Sequence, residues 1–188
     1  MSNEHPKLRS ALDKVLLELT NCILKRRVFN KFVSLKVVHG LDFFRICAYA
    51  LRNDLYAGAY RAFDSHKDAA SFWYIKNISP KEFSKALSES NISIDKIEKL
   101  AEKLKPIRNR VHFHVDRRDL TNPNKAWKDA DLTGNEFIFL TEKAHEVLRI
   151  MYLNLTGEDR QIPGYCGDDI EKIITAYKEK YEDAPLKY

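Results

Sequence analysis

Apolar residues recur at intervals of three and four along most of this chain, and that spacing restricts its fold more than any other feature. Leu8, Leu12, Val15, Leu16, Leu19 and Ile23 form one stripe. Val37, Leu41, Phe44, Ala48, Leu51, Leu55, Ala59 and Ala62 form a second, and Ile94, Ile97, Leu100, Leu104, Ile107, Val111 and Val115 a third. An α-helix turns every 3.6 residues, so each set falls on one helical face directed at a core. No alternating run is long enough for a sheet, and 6 Gly and 6 Pro in 188 residues are too few for a turn-rich β fold. The predicted class is all-α, an elaborated helical bundle.

In chain order, a first helix is predicted from about residue 6 to 24, with Pro6 at a favourable early position. The basic cluster Lys25-Arg26-Arg27 follows it, suited to complementing a helix C-terminus or to holding phosphates. The second helix, about 33–63, has Phe43, Ile46, Cys47, Ala50 and Ala57 thickening its stripe until most of its circumference is apolar. Such a helix is central to a bundle or lies in an interface, and this one reads as the spine. Asp54, Arg61 and Asp64 share its remaining face, where an Arg61–Asp64 ion pair is expected. The run Asp64-Ser65-His66-Lys67-Asp68 breaks the pattern. A short helix over 69–75 follows, whose Phe72, Trp73 and Tyr74 read as core packing rather than a base-stacking platform.

Ser79 with Pro80 starts a helix that ends near Asn91, and Ser93 caps another running to about Arg118. Residues 119–135 are polar and turn-rich, with Trp127 as an anchor. Thr141 is expected to cap the next helix, which Gly157 stops. The domain reading is a bundle over 1–156, a linker over 157–167 and a C-terminal amphipathic helix within 168–188. Ile170, Ile173, Ile174, Tyr177 and Tyr181 would dock that helix on the bundle or on a partner.

With 44% hydrophobic and 31% charged residues, the chain has the balance of one globular domain. The net charge of +5 is compatible with a phosphate-bearing partner. Cys22, Cys47 and Cys166 lack metal-ligand spacing, and the first two lie in apolar helical patterns that suit buried, inert thiols. The N-terminus carries no apolar signal core, and the most apolar run, Leu41 to Leu51, is too short to span a bilayer. A cytoplasmic protein without membrane attachment is therefore expected.

The chemistry is concentrated in Arg108-Asn109-Arg110-Val111-His112-Phe113-His114-Val115-Asp116. With Val111 at the stripe's centre, Arg108 and His114 fall about 60° to either side and about 9 Å apart along a straight helix. One helix does not bring the two heads together unaided; a two-fold partner presenting the same helix in opposite sense would. The chain has no glycine-rich phosphate loop, no nucleophile elbow and no HExxH. His112 and His114, two apart, point in different directions on a helix, and no Cys or carboxylate cluster joins them, so neither metal nor cofactor is expected. Histidine exchanges protons near neutrality, and arginine grips phosphate with a planar fork. Together they suit attack of a ribose 2′-hydroxyl on the adjacent phosphorus, which needs a base, an acid and charge stabilisation.

Arg108-Asn109, four residues, then His114 resembles the motif of the HEPN superfamily of helical nucleotide-binding and RNase domains. The longer Arg108-Asn109-Arg110 … His114-Val115-Asp116 is similar to a version common among its bacterial members. Leu51-Arg52-Asn53-Asp54 … Tyr60-Arg61-Ala62-Phe63-Asp64, followed by Ser71, is similar to the abortive-infection U-type branch. The resemblance covers roughly residues 35–155. It implies a four-helix-type bundle and a homodimeric, metal-independent endoribonuclease with Arg108 and His114 of both chains lining a composite cleft. It also implies a toxin or phage-defence role, held in check by an antitoxin or other regulatory protein. Phe113 stands where a small residue is usual, and His112 is additional.

On that reading His114 is the general acid/base and Arg108 the phosphate clamp. Asn109 and Asp116 orient the motif or join the dimer contact, while Arg110, His112, Arg117 and Arg118 contact the RNA backbone. The alternatives are a non-catalytic HEPN dimer that binds nucleotide, RNA or a protein, and a helical adaptor in which the motif has no role.

Overall fold

The long N-terminal helix, rather than the second, is the element on which the others assemble. The computed structural model describes residues 4–36, 42–109, 125–165 and 167–181, with the backbone alone for Glu4, His5, Trp127, Lys178 and Tyr181. All regular secondary structure among them is helical: α1 (Glu4–Ser34), α2 (Asp42–Ala62), α3 (Phe72–Ile78), α4 (Pro80–Glu89), α5 (Ile94–Glu102), α6 (Leu104–Ile107), α7 (Lys125–Ala130), α8 (Gly134–Thr156) and α9 (Asp168–Tyr181). Helix α1 packs against both α2 and α8; α4 and α5 close on α8, α3 joins α1 to α4, and α6 lies between α2 and α7.

The whole predicted stripe of α1, from Leu8 to Ile23, is buried, with Leu12 and Leu19 wholly so. Removing each such leucine from water is worth roughly 1.5–3 kcal/mol. The helix does not end at Lys25-Arg26-Arg27 as expected but continues for 31 residues in all, about 46 Å. Its cations there have individual partners. Lys25 pairs with Asp54, Arg26 lies over the Phe137 ring, Arg27 donates to the Pro163 carbonyl at 3.1 Å, and Lys31 pairs with Glu171. The cluster that suggested a helix end or a phosphate site is engaged in holding α2, α8, α9 and residue 163 to α1.

Helix α2 meets α1 closely where Gly58 stands opposite Cys22; a Cβ at Gly58 would lie 2.9 Å from the Cys22 sulfur. Ala48, Leu55, Ala59 and Ala62 of its stripe are buried, but Phe43, Ile46 and Tyr49 remain 70%, 64% and 52% exposed. Being apolar all round therefore marks an uncovered face on the N-terminal half of α2, not a central position. Val37 and Leu41 lie outside the described residues. Cys22 donates to the Leu55 carbonyl at 3.2 Å, and burial with the nearby Glu18 charge pushes its thiol up to about 12, so it is inert as expected. Cys47 is half-buried, and Cys166 lies outside the described residues.

The helix expected from Ser93 onwards is interrupted at Lys103, whose N–H reaches back only to the Leu100 carbonyl. Pro106 explains the break, because it has no N–H for the residue 102 carbonyl and its ring crowds that position. One further turn, α6, buries Leu104 and Ile107 and passes into a π-type turn at Arg108 and Asn109. Within the stretch read as turn-rich, α7 forms and buries Ala126 and Ala130.

The cap of α8 is Thr133, eight residues before the expected one. Thr133 and Glu136 form a reciprocal capping box, each accepting the other's backbone N–H. Thr141 is instead buried inside the helix, its hydroxyl donating to the Phe137 carbonyl at 2.9 Å. Gly157 ends α8 in the left-handed region, φ 76°, as expected. The following segment is irregular but tied down. Asp159 receives Arg149 at 2.7 Å, and Arg160 reaches Asp13 at 3.2 Å and the Tyr152 hydroxyl at 2.9 Å. It delivers α9 to α1 and α2, where Ile170 and Ile174 are buried with Phe32 and Ala48. Ile173 points to solvent.

Candidate functional site

The end of α2 and the end of α6 meet at Arg108. Its guanidinium carbon lies 4.3 Å from the centroid of the Tyr60 ring, and the side chain is half-buried. Tyr60 belongs to the last turn of α2 and is itself buried, so the arginine rests on a fixed aromatic surface. The Tyr60 hydroxyl donates to Asp64 Oδ1 at 3.2 Å, and the same oxygen accepts the His66 backbone N–H at 3.0 Å. Burial and the Asp64 charge raise the Tyr60 pKa against the opposing pull of Arg108, so the phenol stays protonated at neutral pH. The Trp73 indole N–H holds the Phe63 carbonyl at 2.9 Å and secures the end of α2 beneath this cluster.

Beyond Asp64 the chain turns sharply. His66 Nδ1 accepts the Asp68 backbone N–H at 3.3 Å, which leaves Nε2 as the protonated nitrogen of the neutral ring. The imidazole is exposed and 3.8 Å from the Asp68 carboxylate. Guanidinium, hydroxyl, carboxylate and imidazole thus follow one another along a continuous string of contacts.

Two residues of the sequence-predicted site, Arg108 and Asn109, are within the described residues. Asn109 is exposed beside Arg108. Arg110, His112, His114, Asp116, Arg117 and Arg118 lie outside the described residues. The expected Arg61–Asp64 pair is not formed. Arg61 makes two bonds across the helix interface to Glu18, at 2.9 and 3.2 Å, while Asp64 serves Tyr60 and His66. Asp54 likewise pairs with Lys25. Among the described residues no three His, Cys, Asp or Glu side chains converge on a metal-binding geometry, and no helix is long and apolar enough to cross a membrane.

Sequence reasoning missed Tyr60 and His66, although both lie in segments it examined, Tyr60 in the U-type pattern and His66 in the break that follows α2. It also missed His145. This imidazole is buried on α8, with Nε2 3.1 Å from the Thr20 hydroxyl of α1. Burial, reinforced by Arg149, lowers its pKa to about 4, so it is neutral at physiological pH. A polar cleft of about 450 Å³ opens above it between Arg27, Glu142, Arg149 and Gln161. With its ring engaged by Thr20, His145 ties α8 to α1. Compared with models of protein families, with curated proteins and with solved structures, the chain has no match.

Proposed function

We propose that this protein is a HEPN-type endoribonuclease that cleaves RNA by 2′-hydroxyl attack without a metal and acts as a toxin or phage-defence effector. The observation that carries the reading is the seating of Arg108. A phosphate clamp must keep its fork in place while charge develops on phosphorus, and stacking on the buried Tyr60 ring restrains it. The motif residues that resemble the family begin at this arginine.

In the proposed reaction His114 removes the 2′-hydroxyl proton, the 2′-oxygen bonds to phosphorus, and the 5′-oxygen leaves with a proton returned by an imidazole. Arg108 neutralises the equatorial oxygens in the transition state. The products are a 2′,3′-cyclic phosphate, or its hydrolysed form, and a 5′-hydroxyl. Asn109 and Asp116 orient the motif; Arg110, His112, Arg117 and Arg118 hold the strand.

The reading includes a homodimer, supported by the uncovered apolar face of Phe43, Ile46 and Tyr49 on α2, which a second copy would bury. That face lies about 21 Å along the helix from Tyr60. A second copy therefore contributes to the Arg108 cleft only where its contact extends towards the end of α2. An antitoxin or other regulatory protein is the expected further partner.

The test is incubation of purified protein with RNA and with DNA of the same sequence in EDTA. RNA fragments ending in cyclic phosphate, with intact DNA, are the expected result. Cut DNA, or loss of all RNA cutting in the chelator, contradicts the mechanism; RNA binding without cleavage favours the non-catalytic HEPN dimer.

A further inference from the structure

A second basic surface lies on the other side of the turn that carries Asp64 and His66. Lys7, Ser10, Ala11 and Lys14 occupy one face of α1, spaced by three and four residues. Opposite them stand Lys67, Asp68, Ala69 and Ala70, with Tyr74 of α3 at the back, enclosing a cleft of about 540 Å³. Ala11 is buried and forms the floor, Tyr74 is half-buried, and the three lysines are exposed. None of the three ammonium groups pairs with a described carboxylate, whereas Lys25, Lys31, Lys76 and Lys103 all do. Among the described residues the one carboxylate lining the cleft, Asp68, also faces His66. Three cations thus line a concave surface with one acid beside them among the described residues.

We infer that this cleft is a single-stranded RNA site, in which Lys7, Lys14 and Lys67 hold backbone phosphates and Tyr74 takes a base. The inference rests on the ribonuclease reading for the identity of the polyanion. Lys7 and Lys14 rise from α1 about 10.5 Å apart, a separation that suits two phosphates of an extended strand better than one free anion. Lysines beside an exposed aromatic edge are the usual equipment for gripping single strands without reading sequence. The cleft is continuous with the candidate site through direct contacts: Arg108 to Tyr60, Tyr60 to Asp64, Asp64 to His66, His66 to Asp68. Four residues separate Asp64 from Asp68, at most about 14 Å of chain. A strand lying in the cleft passes over this turn to Arg108. Phosphate contacts there hold the substrate in register and leave the chemistry to Arg108 and the motif.

The probe is a fluorescent 2′-O-methyl oligoribonucleotide, which lacks the attacking hydroxyl and separates binding from cutting. Each lost phosphate contact on a single strand removes about 0.7 from the slope of log affinity against log salt. Lys7→Gln/Lys14→Gln/Lys67→Gln is therefore expected to flatten that slope by about 2 and weaken binding at least tenfold at low salt. Lys81→Gln/Lys99→Gln/Lys128→Gln, with the same change of charge at other exposed lysines, is expected to leave the slope within about 0.5 of wild type. Tyr74→Leu is expected to weaken binding on the order of tenfold with the slope unchanged.

Equal losses in the two lysine sets, an unchanged slope in the first set, or binding of an acidic peptide in preference to the oligonucleotide would overturn the inference. Circular dichroism establishes that each variant is folded. Cleavage of unmodified RNA is scored separately. Lysine-dependent binding without cleavage sinks the ribonuclease reading and leaves the cleft; cleavage with lysine-independent binding does the reverse.

Discussion

His145 makes the stability of this protein depend on pH, and the size of the effect follows from its surroundings. The ring is buried between α1 and α8, bonded to Thr20, with the Arg149 cation on its own helix and Asp159 beyond it. Arg27 of α1, Glu142 and Glu146 of α8 and Gln161 complete the charged and polar groups around it. Burial and Arg149 disfavour the imidazolium, and Asp159 offsets them only in part, so the folded pKa falls from 6.5 to about 4. As pH drops the unfolded chain takes up the proton first, and stability is lost between about 6.5 and 4. The whole shift corresponds to about 3 kcal/mol, of which about 2 kcal/mol is lost by pH 5. For a chain of this size that lowers Tm by roughly 4–8 °C.

Carboxylates titrate in the same range, so the informative quantity is a difference between two proteins. His145→Gln keeps a polar partner for the Thr20 hydroxyl and cannot be protonated. Thermal or urea unfolding of both near pH 7.5 and about pH 5 should show wild type losing about 2 kcal/mol more than the variant. Equal losses would mean that His145 is hydrated or already charged in the folded state, and the reasoning from burial would fail.

Two further predictions concern the Arg108 cluster and the exposed face of α2. Tyr60→Leu removes the surface under Arg108 and the bond to Asp64, together about 1–2 kcal/mol of restraint, so kcat/KM on RNA should fall about 5–30-fold. An unchanged kcat/KM in a folded variant that still requires Arg108 would show that the stacking does not position the clamp. Ile46→Glu places a charge in the uncovered apolar face and should convert the proposed dimer to a monomer in sedimentation without lowering Tm by more than about 2 °C. A wild-type monomer at micromolar concentration, or a variant that stays dimeric, counts against a contact at this face.

The parts of the fold that were legible in the sequence are those specified within a few residues. The buried stripe of α1 and the Gly157 stop of α8 could be read directly, and the Thr133–Glu136 capping box was present at the correct spacing but passed over in favour of Thr141. What could not be read depends on groups distant in the chain. Helix α1 continues through three successive cations because Asp54, Phe137 and Pro163 wait for them, the last 136 residues beyond Arg27. Periodicity likewise cannot tell an apolar face covered by a neighbour from one left open, which is why α2 read as a spine. Arg108 stands out through its motif, whereas its support, Tyr60, lies in the U-type pattern with nothing in the sequence to place it, 48 residues along the chain, under that arginine. His145 gave no signal, since its partner Thr20 lies 125 residues away.

One rate decides whether this chain is a metal-independent ribonuclease built on Arg108 and His114. RNA cleavage in EDTA is measured for wild type and for His114→Ala, with His112→Ala alongside to show that the effect is specific to His114. Loss of a proton-transfer group predicts a rate about 10²–10⁴-fold lower for His114→Ala and a much smaller loss for His112→Ala. A folded His114→Ala protein that cuts RNA at the wild-type rate would contradict the claim.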